Sequence, residues 1–70
     1  MNKMKEYRVE LNKSQSEMAQ ELGITQRHVA FLETGDRRPS LDLAVRISQY
    51  FGKSIEDIFY PKTVLKVQID

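Results

Sequence analysis

Residues Gln15 to Thr34 read QSEMAQELGITQRHVAFLET, and this stretch decides the fold. Met18, Ala19 and Leu22 fall at i, i+1 and i+4, one apolar helix face with a residue small enough to admit another helix. Gly23 can take the positive φ that ends a helix and turns the chain within a few residues. Thr25 is suited to cap a second helix. At about 100° per residue, Ile24, Val29 and Leu32 then face inward. Arg27 and Phe31 project away from them, with Ala30 and Thr34 alongside. A cation, a phenyl ring and small residues on one outward face make a reading surface rather than an ordinary solvated one.

Towards the N-terminus, residues 2 to about 11 form a first helix with Met4, Tyr7 and Leu11 as its stripe, and Asn12 suits the position that ends it. Ser14 followed by Glu17 is a capping box, which opens the second helix. On the other side, Thr34-Gly35-Asp36-Arg37-Arg38-Pro39 is turn-rich. Ser40 caps a fourth helix, with Asp42 in its first turn and an inward face expected from Leu41, Ala44, Val45, Ile47 and Phe51. Gly52 ends it. Ser54 and Asp57 open a short fifth helix that turns Ile55, Ile58 and Phe59 inward, and Pro61 blocks further helix. From Val64 to Ile69 the pattern switches to period two, the signal of a strand. The expected fold is all-α: a compact five-helix bundle over residues 1–61, followed by a 62–70 tail with a short C-terminal β-strand.

Seventy residues make one domain near the lower limit for a self-supporting core. The absence of cysteine excludes disulfides and cysteine-based zinc sites. His28 is the single histidine and has no second ligand of its kind, so neither a metal nor a cofactor is expected. No apolar run approaches the ~18 residues of a membrane span, and no signal peptide opens the chain; a cytoplasmic location is expected. A net charge of +1 does not announce a nucleic-acid binder, so local distribution has to carry that argument. With no histidine pair, cysteine nucleophile or Gly-rich phosphate loop, an enzyme is the weakest reading.

The chain resembles the helix-turn-helix regulators of the phage repressor and Cro type, whose DNA-binding domain is lambda-repressor-like. The residues that carry the resemblance are Gln15, Ala19 and Gly23, apolar Met18, Leu22, Ile24, Val29 and Leu32, and Glu33-x-Gly35. Arg38-Pro39-Ser40-Leu41 continues it. It spans roughly residues 4 to 60 without a gap. Lys13 departs from the pattern, where an apolar residue is usual. Leu11 is expected to fill that space while Lys13 snorkels towards solvent or phosphate. In the family, positions matching Gln26 and Arg27 contact base edges, and the glutamine matching Gln15 binds phosphate and braces the recognition helix. Positions matching Arg8 and Glu33 pair.

The residues themselves lead to compatible assignments. Arg27 can hold a guanine through O6 and N7, and Gln26 an adenine through N6 and N7. Ala30 and Phe31 complete the face. A phenyl in an amphipathic helix usually belongs to the core, but placing Phe31 there would turn Val29 and Leu32 to solvent, so a thymine methyl or a protein surface is its alternative partner. Gln15 stands at the start of the second helix, where free N–H groups welcome phosphate. Lys13, His28, Thr34, Arg37 and Arg38 are further candidates for phosphate. Glu33 faces inward, where an unpaired carboxylate is costly, and Arg8 is its natural partner. Leu65, Val67 and Ile69 share one side of the tail strand and are expected to join Ile55 and Phe59 in a homodimer interface. The expected function is a sequence-specific double-stranded DNA-binding transcriptional regulator, a repressor on a palindromic operator. The alternative is an antitoxin or other protein-interaction module, against which the shortness of the tail argues.

Overall fold

Local capping chemistry lays out the helices. The structure, a computed structural model, describes residues 2–61. Five helices follow in order: α1 (Met4–Glu10), α2 (Gln15–Leu22), α3 (Gln26–Thr34), α4 (Leu41–Phe51) and α5 (Ile55–Phe59). Ser14, Thr25, Ser40 and Ser54 each accept the backbone N–H three residues on, from Glu17, His28, Leu43 and Asp57. Ser14 and Glu17 complete a reciprocal capping box. The start of α1 is held differently: Asn2 Oδ1 accepts from Met4 N, and Lys3 N donates to the Ile58 carbonyl at 2.8 Å. Asn12, at φ 57, turns the chain after α1.

Met4, Met18, Ala19, Leu22, Val29, Leu32, Leu43, Ile47 and Ile58 form one core, with Tyr7, Ile24, Tyr50, Phe51 and Phe59 packed on it. Phe51 meets Tyr7 at 5.8 Å and Tyr50 at 5.2 Å between ring centroids, tilted and edge-on, as ring quadrupoles favour. The fold is the all-α five-helix bundle expected from the pattern.

Two expected faces are corrected. In α1 the inward positions are Met4 and Arg8, with Tyr7 half-buried; Leu11 is 46% exposed and does not fill the space beside Lys13. The helix stops at Glu10, with Leu11 as its exposed cap, and Met4 and Arg8 take the inward positions. In α4, Leu43 is buried with Ala44 and Ile47, whereas Leu41 is 77% and Val45 39% exposed. Taking Leu43, Ala44 and Ile47 as the inward face, Leu41 and Val45 lie about 120° and 160° round the helix from its centre. The expected strand and its Leu65, Val67 and Ile69 lie outside the described residues. Among the described residues, no helix is long and apolar enough to cross a membrane.

Candidate nucleic-acid interface

The turn between α2 and α3 is built by backbone hydrogen bonds around one residue. Gly23 sits at φ 72, its N–H bonds the Gln20 carbonyl at 3.3 Å, and Ile24 N–H bonds the Ala19 carbonyl at 2.9 Å. These are the paired bonds of a Schellman ending, which the left-handed residue makes possible. Arg46 of α4 donates to the carbonyl of Leu22, one of the groups the helix end leaves free. Within two residues Thr25 restarts the helix in a new direction, and Val29 and Leu32 are drawn fully into the core. That burial fixes the rotation of α3.

With its inner face fixed, α3 presents Gln26 and Arg27 to solvent, and Ala30 and Phe31 half-exposed. The Arg27 guanidinium lies 5.3 Å from the Phe31 ring centroid, and that of Arg37 lies 6.0 Å from it. Phe31 is therefore outside the core, as a ring flanked by cations. His28 is half-buried; Thr34, Arg37 and Arg38 are exposed. Thr34 Oγ1 lies 2.9 Å from Asp36 Oδ2, which ties the residue into the turn after α3.

Behind α3, Arg8 and Glu33 are each only 8% exposed. Arg8 Nε donates to Glu33 Oε2 at 2.6 Å and Nη2 to Oε1 at 3.3 Å, a bidentate pair. Arg8 Nη1 donates to the Lys13 carbonyl at 2.8 Å, and Gln15 Nε2 to Glu33 Oε1 at 3.1 Å. No buried side-chain polar atom among the described residues lacks a partner. Gln15 is thus engaged with α3 through its amide.

Lys13 reaches along the outside of α2. Its ammonium pairs with Glu21 Oε2 at 2.8 Å. That bond and the nearby carboxylate raise the Lys13 pKa, and the bonds from Lys13 and Tyr50 hold the Glu21 carboxyl below its ordinary value. Ile55 and Phe59 line, with Arg37, Arg38, Leu41 and Tyr60, a cleft of about 600 Å³.

Asn2 is a residue that sequence reasoning missed. Its Nδ2 donates to the Leu32 carbonyl at 2.8 Å while its Oδ1 holds α1, so one amide joins the first helix to the third. An asparagine next to the start of a helix was the available signal. Arg46 gave none, since its acceptor is a carbonyl distant in sequence.

A helix-turn-helix family model matches residues 4–58. An uncharacterised HTH-type transcriptional regulator of Archaeoglobus fulgidus is 42% identical over 57 residues, which cover 81% of this chain and 80% of the relative. Another, of Methanocaldococcus jannaschii, is 43% identical over 58 residues, covering 83% and 88%. A third, of Bacillus subtilis, is 41% identical over 59 residues, covering 84% and 89%. With the two helices, their glycine turn and the outward face of α3 all in place, the chain belongs to the helix-turn-helix family of the phage repressor and Cro type.

Proposed function

We propose that the protein is a sequence-specific, double-stranded DNA-binding transcriptional regulator, acting as a repressor when two copies occupy a palindromic operator. One observation carries this reading: α3 is locked by Val29 and Leu32 in a rotation that leaves Gln26, Arg27, Ala30 and Phe31 on its free side. A helix of that kind fits the major groove, whose width of about 12 Å matches a helix with its side chains. Arg27 and Gln26 then read base edges through paired hydrogen bonds, and Ala30 allows close approach.

Phosphate contacts set register and carry no sequence information. We assign them to Gln15, Lys13, His28, Thr34 and Arg38, of which Lys13 and Thr34 exchange Glu21 and Asp36 for phosphate on binding and Gln15 keeps a second amide hydrogen beyond its bond to Glu33. Arg37 is kept apart, because its guanidinium lies against the Phe31 ring. One α3 reads only a few base pairs, which a second copy doubles on a symmetric site with half-sites about 34 Å apart. The family name shared with the relatives supports the regulatory role.

The testing experiment is selection of duplexes from a random library by the full chain. An enriched palindrome bound with strong salt dependence is expected. Recovery of no sequence above background would overturn the reading.

A further inference from the structure

We infer that Arg27, Phe31 and Arg37 act as one stacked unit that reads a guanine together with a 5-methylpyrimidine, thymine in unmodified DNA, in the neighbouring base pair. The inference rests on the reading of α3 as the major-groove helix. It goes further by fixing a two-base-pair element of the target and by giving Arg37 a positioning role.

The structural ground is the way the turn after α3 folds back. The N–H groups of Gly35 and Arg37 both bond the Phe31 carbonyl, at 3.1 and 3.2 Å. Gly35 stands at φ 87, which an L side chain rarely adopts. Asp36 N donates to Thr34 Oγ1 at 3.3 Å. The main chain of Arg37 is thus tied to the backbone of Phe31, and its guanidinium reaches the same residue's ring. Arg27, one turn earlier, reaches that ring too. Two guanidiniums on one phenyl are attracted by its negative face and repel each other. The acceptors and negative potential of a DNA groove relieve that repulsion, so the cluster is poised for such a partner.

The chemistry then narrows the target. A phenyl ring offers no hydrogen-bond donor or acceptor, and the apolar feature of a major-groove base edge is the C5-methyl of thymine. Arg27 is suited to guanine, whose O6 and N7 accept a guanidinium bidentately. Arg27 and Phe31 are four residues apart, about 6 Å along the helix axis, and their side chains touch. Stacked base pairs are about 3.4 Å apart. Two side-chain tips in contact therefore meet adjoining base pairs, not pairs a half-turn apart. Cytosine lacks the methyl and does not meet the requirement; 5-methylcytosine carries it.

The test starts from the duplexes selected by the full chain and replaces the thymine beside the guanine by deoxyuridine, which removes only the methyl. Wild type is expected to lose about fourfold in affinity, the change that corresponds to one buried methyl. Phe31→Ala is expected to bind both duplexes equally, and Arg27→Ala combined with Phe31→Ala to lose less than the product of the single losses. Replacing the T·A pair by 5-methylcytosine·G is expected to retain more affinity than replacing it by C·G. Arg37→Gln is expected to bring the thymine-to-uracil ratio towards one while leaving the salt slope unchanged. Selected sites without a guanine–thymine neighbour overturn the inference and leave the major-groove reading standing, as does a uracil penalty that persists in Phe31→Ala. An Arg37→Gln protein that keeps the ratio and flattens the salt slope by about one unit makes Arg37 a phosphate ligand, and overturns its positioning role. Failure to select any duplex overturns the reading of α3 itself.

Discussion

Glu33 accepts from three side-chain N–H groups, two of Arg8 and one of Gln15, on the concealed side of α3. A carboxylate and a guanidinium this far from water must be paired, and removing one strands the other. Glu33→Ala is expected to destabilise the domain by about 3–5 kcal/mol, read from urea unfolding. Making both residues apolar should recover part of that loss. The burial of Glu33 was legible because it falls on the inward face of a helix whose period is unmistakable. The α1 pattern, by contrast, did not turn Arg8 inward, and the family resemblance is what pairs its position with Glu33. The Lys13 carbonyl that receives the third Arg8 bond was not legible, since no side-chain pattern marks a main-chain acceptor. Arg27, on the outward side of α3, and Arg38, in the turn that follows it, separate two kinds of contact. Arg27→Ala is expected to lose about 1–3 kcal/mol on the selected site and to relax discrimination at one base pair. Arg38→Ala should weaken all sequences about equally and lower the salt slope by about one. Fluorescence anisotropy titrations on matched and mismatched duplexes at several salt concentrations decide between them, and identical behaviour would refute the assignment.

At the scale of elements, the caps were open to reading because Ser and Thr signal a helix start by their own chemistry. The α4 face was harder. Leu41, Leu43, Ala44, Val45 and Ile47 crowd so many apolar groups into the helix that spacing alone admits more than one inward side. The packing of Leu43 and Ile47 chooses between them. That choice also turns Tyr50 of α4 towards Glu21 of α2, its hydroxyl donating to the Oε1 atom. Burial, and next the bond to Glu21, push the Tyr50 phenol up to about 12 from its ordinary 10.0. The folded state thus holds this proton more tightly than the unfolded one. The contribution is complete below about pH 10 and is lost as pH rises towards 12. Glu21 has the opposite sign: its carboxyl is lowered by Lys13 and Tyr50, so its contribution is present above the ordinary carboxylate value and lost as acid protonates it. In an alkaline titration followed by tyrosinate absorbance, one of the three tyrosines should ionise near pH 12, and Tyr50→Phe should remove that late step. If the step survives, Tyr50 is not its source.

For the molecule as a whole, the question is what meets the apolar surface that α4 and α5 leave open. Leu41 is 77% exposed, and it shares a cleft with half-buried Ile55 and Phe59 and exposed Tyr60. An exposed leucine by itself is unremarkable, but several large apolar groups around one cleft are the kind of surface that a partner covers. A homodimer built on it would present two copies of α3 related by a two-fold axis, and an isologous contact of that kind suits a palindromic site. Ile55 and Phe59 belong to the interface expected from sequence, together with the tail. The turn of Leu41 out of the core to solvent adds a third apolar group beside them. The segment after Pro61, in which Leu65, Val67 and Ile69 alternate with Lys66, Gln68 and Asp70, lies outside the described residues and carries the rest of the interface expected from sequence. Two variants separate these parts. A chain ending at Pro61 is expected to sediment as a monomer and to bind the operator with greatly reduced affinity, while its unfolding curve keeps a single cooperative transition. Leu41→Lys in the full chain is expected to weaken the dimer without destabilising the monomer, because its side chain touches mainly solvent there. Were the shortened chain to remain dimeric and bind as tightly as the full one, the tail would have no part in assembly, and the α4–α5 face would have to provide the whole interface.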